Sequence, residues 1–152
     1  MRVLKEAGIH GGFNVIVEIG SRVNKSYFQA PSESVDHAGK EYIQGRFPLL
    51  NTKKRIEDFK RLYKNLWIEI DESKLDLMKH CIGVPYSKKP YRNYFCTNED
   101  DADWNFLVGK GLAVKGESKV NAERNCIYFW LSRQGVEFVL NKPISEEFYK
   151  EL

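Results

Sequence analysis

The chain has few cysteines: Cys81, Cys96 and Cys126 stand alone at wide spacing. An odd count without a CxxC pair matches neither a zinc site nor a disulfide framework, so the expectation is three reduced, mostly buried thiols in a cytosolic protein. Histidine is as sparse, and His10, His37 and His80 fall outside HxxE or HExxH spacing, which removes the common metal-ligand patterns. Long apolar runs are missing too. Runs such as Val15 to Val17 span a few residues, far below the roughly 20 that cross a bilayer. The first residues mix Arg2, Lys5, Glu6 and His10 with glycines and hold no apolar stretch of signal-peptide length, so secretion is not expected.

Catalytic patterns are equally scarce. His80 and Cys81 are adjacent, and neighbours on a helix diverge by about 100°, so they do not form a nucleophile–base pair. GIHGG and GKG lack the flanking strand, helix and lysine of a phosphate-binding loop and read as turns. Asp100, Asp101 and Asp103 lack the glycine and the bidentate glutamate of a calcium loop, and suit the positive end of a helix dipole instead. The chain is therefore read as non-enzymatic, with no cofactor and no metal.

What is present suffices for a folded core: 152 residues, 42% hydrophobic and 13% aromatic. The net charge is +3, unevenly placed. Up to Ile70 there are 12 Lys or Arg against 8 Asp or Glu; beyond it, 12 against 13. Between Arg46 and Lys64, seven cations face only Glu57 and Asp58.

The two halves differ in rhythm, and the expected class is α+β, with one region over 1–70 and another over 71–152. After a glycine-rich opening read as a turn, FNVIVEIG alternates as a strand, and Gly20-Ser21 turns it back into RVNKSYFQA. A third strand is expected around Tyr42 and Ile43, completing an antiparallel β-meander. Asn51 or Thr52 then caps a helix in which Ile56, Phe59, Tyr63 and Leu66 pack while Lys53, Lys60 and Lys64 form a cationic face. Trp67 to Asp71 is either a brief strand or the exit from that helix. Ser73 is expected to cap a second helix reaching Ile82, and Ser87 to Thr97 reads as a basic, aromatic loop. From Asp101 to Leu140 come a short helix, a glycine stop, two strands joined by a polar loop over 116–125, and a helix capped by Ser132; a last helical turn follows Pro143. That order predicts a winged-helix-like C-terminal unit.

The segments LDLMKHCIG, PYRNYFCT, WNFLVGKGLAV and CIYFWLSRQGVEFVL resemble a group of small proteins encoded by bacteriophages and prophages, over Lys74 to about Leu140. The group has no settled activity, so the resemblance implies a phage setting and a host-cell cytoplasm more than a chemistry. Leu107-Val108, Gly111-Leu112 and Tyr128 to Gly135 are also similar to the wing region of winged-helix regulators, although Ser132 replaces the more usual Thr and three aspartates stand on the presumed recognition helix.

Three groups are candidate binding residues. Lys53, Lys60, Arg61 and Lys64 form either a phosphate track or a solvated helix face. Lys88, Lys89, Arg92 and Tyr94 interleave cations with aromatics, as a stacking surface or a protein hot spot does; the alternative is a loop anchored by Tyr91 and Phe95, with Arg92 paired to Asp100 or Asp101. Lys119 and Arg124 sit on the expected wing. The leading expectation is a phage-type binding protein that acts on a host protein or ribonucleoprotein complex, in the manner of an anti-CRISPR inhibitor of a defence nuclease. The alternative is a winged-helix DNA-binding or other nucleic-acid-binding regulator. No membrane partner is expected.

Overall fold

A computed structural model describes residues 1–29, 39–121 and 126–152, with side chains of 118–121 left aside. The protein is mixed α+β and divides into two compact units: Met1–Ile68 with Asn141–Pro143, and Glu69–Leu140 with Ile144–Leu152.

The first unit opens with strand β1 (Arg2–Ala7), followed by β2 (Phe13–Ile19) and β3 (Arg22–Phe28), an antiparallel sheet in the order β1-β2-β3. Ile19 pairs with Arg22, so Gly20-Ser21 forms a two-residue turn, with Gly20 at φ 60° supplying the positive dihedral such turns require. The stretch read as a glycine-rich opening is in fact a strand through Ala7, and the turn is confined to the residues between Ala7 and Phe13. Helix α1 (Lys40–Arg46) replaces the third strand expected at Tyr42 and Ile43. A helix of seven residues shows only one buried position, Ile43, so the sequence carries no helical repeat to find.

Helix α2 (Lys53–Asn65) begins at Thr52, whose hydroxyl accepts from Arg55 N at 3.2 Å. Its apolar face completes the core of this unit with Ile56, Phe59, Leu62 and Tyr63 against Phe13, Val15, Val17, Phe28 and Phe47. Aromatic rings run through it in sequence: Phe28–Phe47 at 6.2 Å, Phe47–Phe59 at 5.0 Å, Phe59–Tyr63 at 5.8 Å and Tyr63–Trp67 at 5.8 Å. Trp67 to Asp71 forms no strand.

The second unit starts with helix α3 (Glu72–Cys81). Its N-cap is Asp71, accepting from Lys74 N at 2.9 Å, rather than Ser73. Strand β4 (Phe95–Asn98) lies inside the stretch expected to be loop. Then follow helix α4 (Ala102–Gly109), strands β5 (Ala113–Asn121) and β6 (Cys126–Leu131), helix α5 (Arg133–Leu140) and helix α6 (Glu146–Glu151). The sheet order is β4-β6-β5, antiparallel throughout. Most of the polar loop expected over 116–125 is strand up to Asn121.

Alternation decides the two faces of this sheet. Ile127, Phe129 and Leu131 point inward, where Trp104 is stacked between Phe95 (5.3 Å) and Phe129 (5.5 Å) above Leu107, Leu112 and Val136. Asp101 fixes α4 beneath it: one carboxylate oxygen accepts from Trp104 N at 3.0 Å and the other from Thr97 Oγ1 at 3.0 Å. Asp101→Ala removes both bonds and is expected to cost about 1–2 kcal/mol in a urea titration, with Asp101→Asn retaining most of it. No helix among the described residues is long and apolar enough to cross a membrane.

Candidate functional site

The outward face of the β4-β6-β5 sheet is unusually aromatic. Alternation that buries Ile127, Phe129 and Leu131 turns Tyr128 and Trp130 outward on β6, and Tyr94, just before β4, joins them. Tyr94 and Tyr128 are 51% and 41% exposed, and with Trp130 they line an open groove of about 340 Å³. Their rings meet edge to face, at 6.0 Å and 78°. Gly116 on β5 leaves room beside them, since a Cβ there would stand 3.6 Å from the Trp130 ring and 2.9 Å from Tyr128 O.

The backbone leading to Tyr94 is held from three sides. Asn93 Oδ1 accepts from Leu131 N at 2.8 Å while its Nδ2 donates to Leu131 O at 2.9 Å, continuing the β4–β6 ladder by a side chain. Arg92 Nη2 donates to His80 O at 2.9 Å, and its guanidinium carbon lies 5.8 Å and 5.5 Å from the Tyr91 and Tyr94 ring centres. Tyr91 covers Gly83, which sits at φ 77° and has no room for a side chain. Arg92 is thus partly a structural brace. In place of the pairing with Asp100 or Asp101 that the alternative reading of this loop gave it, Arg92 bonds the His80 carbonyl, and Asp101 is committed to α4 and Thr97.

The predicted site residues fall into separate places. Tyr94 lines the groove, Arg92 lies against its ring, and Lys88 and Lys89 are exposed on the connection before them. Lys53, Lys60, Arg61 and Lys64 belong to the first unit. Arg61 is bound to Asp58 at 2.5 Å and Lys53 lies 3.9 Å from Glu57, so that helix face is less cationic than its composition. Lys40, Lys53, Ile56, Glu57 and Lys60 line a cleft of about 340 Å³ there. Lys119 is in β5, where it pairs in register with Ile127, while Arg124 and His37 lie outside the described residues. Sequence reasoning noted the alternation of Tyr128 and Trp130 but did not select them; two large aromatics at outward strand positions were the available signal.

The cysteines require a correction. Cys96 and Cys126 are joined by a disulfide across β4 and β6, with Cα atoms 5.9 Å apart. Both are on the outward face, Cys96 exposed and Cys126 half-buried. Only Cys81 is buried and free, and burial pushes its thiol up to about 12. The sequence hid the pair because it is made by strand pairing across 30 residues, and β4 itself was not expected. Next to the sheet, Lys74 bonds Asp71 at 2.6 Å and Asp103 at 3.2 Å, and these carboxylates, Asp71 foremost, hold its ammonium above the usual lysine range. Among the described residues no group of three His, Cys, Asp or Glu side chains is placed to hold a metal ion.

Comparison with protein-family models, with curated proteins and with solved structures found no match for this chain.

Proposed function

We propose that the protein is a non-enzymatic binding protein whose outward sheet face docks a segment of a partner protein. The observation that carries this reading is the groove between Tyr94, Tyr128 and Trp130, with Arg92 at its margin. Tyrosine, tryptophan and arginine in a shallow, largely apolar site are the residue types that dominate protein interfaces. The edge-to-face meeting of Tyr94 and Tyr128 favours a side chain wedged between rings over two bases stacked on a common flat surface. Lys88 and Lys89, exposed in the connection that precedes Tyr94, favour a partner segment in which the wedged apolar side chain is followed by a carboxylate.

The second unit is read as a winged-helix-like scaffold put to this use. Its one helix between β4 and β5 carries aspartates that are spoken for, Asp101 as N-cap and Asp103 with Lys74, and they would repel a phosphate backbone. The resemblance to phage-encoded proteins makes a host defence nuclease complex the first partner to test, as an anti-CRISPR-like inhibitor would require.

The test compares two ligands. Purified protein is titrated against fluorescent single-stranded and duplex oligonucleotides at low salt, and is used as bait for a bacterial host lysate. The expected result is no oligonucleotide binding below about 10 µM, in the range of weak non-specific association, and a captured protein that is lost with Tyr128→Ala but kept with Lys53→Glu/Lys60→Glu. Tight oligonucleotide binding abolished by Lys53→Glu/Lys60→Glu would instead establish the nucleic-acid-binding regulator.

A further inference from the structure

The groove and the disulfide share one sheet face. Cys96 is the register partner of Tyr128 on β6, and Tyr94 stands two residues before it. Cys126 is the first residue of β6 and pairs with Asn98, so the crosslink runs diagonally from the second residue of β4 to the start of β6. Strand β4 is only four residues long, lies at the sheet margin and, among the described residues, pairs with β6 alone. A short strand with one neighbour depends more than any other on whatever else fastens it.

We propose that Cys96 and Cys126 form a reversible thiol–disulfide switch that fastens β4 to β6 and so sets how firmly Tyr94 is held against Tyr128 in the groove. Three features of the chain fit a switch. The Cα separation of 5.9 Å lies within the ordinary range for a disulfide. Cys96 is exposed, so a soluble thiol or disulfide reaches it directly. Cys81, the remaining thiol, is fully buried with its ionisation pushed up to about 12, so it does not compete for exchange.

The chemistry balances with a low-molecular-weight disulfide of the glutathione type as oxidant. The Cys96 thiolate attacks one sulfur of that disulfide, forming a mixed disulfide and releasing one small thiolate, which takes up the proton Cys96 lost. The Cys126 thiolate then attacks the Cys96 sulfur, closing Cys96–Cys126 and releasing the second small thiolate, which takes up the proton of Cys126. Two protein thiols are oxidised, one small disulfide is reduced to two thiols, and an excess of the small thiol runs the sequence backwards.

The consequence for partner binding rests on the proposed binding function, whereas the switch itself is measurable without a partner. The full chain is equilibrated in glutathione buffers from fully reduced to fully oxidised, and three quantities are read: accessible thiols, amide exchange at Phe95–Asn98, and melting temperature. On reduction, thiols available in the folded protein are expected to rise from none to two. Exchange at β4 is expected to quicken at least tenfold, and the melting temperature to fall by roughly 10 °C, as loss of a crosslink closing a loop of this size implies. Cys96→Ser and Cys126→Ser, each with at most one accessible thiol, should keep the β4 exchange and melting temperature of the reduced protein in every buffer, while Cys81→Ser should respond like the wild type.

A bond that resists millimolar glutathione in the folded protein would overturn the switch, as would unchanged β4 exchange between the two states. If β4 loosens on reduction and a captured partner binds at least tenfold more weakly to the reduced protein, both the switch and its effect on the groove are supported. If β4 loosens while binding ignores both redox state and Tyr128→Ala, the switch stands and the docking of a partner on this face is the part that fails.

Discussion

Gly135→Ala is expected to destabilise the second unit by about 3 kcal/mol, the upper end of the penalty for overfilling a packed site. Gly135 lies in the first turn of α5, and a Cβ there would overlap the carbonyl oxygen of Leu112. That carbonyl is not free to retreat, because it accepts from Ser132 N at 3.0 Å. Ser132 in turn donates its hydroxyl to Gly111 O at 2.7 Å and accepts from Gly135 N at 3.1 Å, so the end of β6, the start of β5 and the first turn of α5 form one knot. Alanine must therefore push the helix off the sheet or break the knot. Gly109→Ala supplies the control of identical chemistry: nothing lies within 4 Å of its Cβ position, and the helix gains up to about 1 kcal/mol. Urea titrations of the two variants should move in opposite directions, and equal effects would show that contact with Leu112 is not what holds Gly135.

Much of this arrangement was legible in the sequence where a repeat was long enough to read. Phe13 to Ile19 alternates over seven residues, and α2 repeats its apolar residues over three turns; both stand where expected. Ser132 at the start of α5 was signalled as a short acceptor before an apolar run, and Asp101 at the start of α4 as an acid at the positive end of a helix dipole. Three short elements were not legible, since α1 buries only Ile43, β1 buries only Val3, and β4 turns only Phe95 and Thr97 inward. Missing β4 also concealed the two features that depend on it, the Cys96–Cys126 bond and the groove floor. The cationic helix was legible as composition but not as charge, because Asp58 and Glu57 lie beside Arg61 and Lys53 in the folded chain.

Tyr128→Ala is expected to weaken partner binding by at least about 30-fold, the scale of a hot-spot side chain at the centre of an interface. Tyr128 is the natural choice for this measurement. Its ring is 41% exposed and meets Tyr94 edge-on, while its backbone is fixed by pairing with Cys96, so truncation removes groove wall without removing core. Tyr94→Ala should lose a similar factor, and Tyr42→Ala in the first unit, 40% exposed and remote in function from the groove, should lose less than twofold. Loss of affinity at Tyr128 accompanied by an unchanged melting temperature separates docking from folding. A melting temperature that falls in step with affinity would assign Tyr128 to the sheet's stability instead.

The central claim is that a protein, not a nucleic acid, occupies the face between Tyr94 and Trp130. It is tested most directly by placing a photo-reactive benzoylphenylalanine at position 128 of the full chain, irradiating in bacterial cells that express it, and analysing the adducts. The account predicts a protease-sensitive, nuclease-resistant adduct of discrete mass at position 128, and none at position 23 of β3, which is more exposed. No adduct at position 128, or one that nuclease digestion removes, would contradict it.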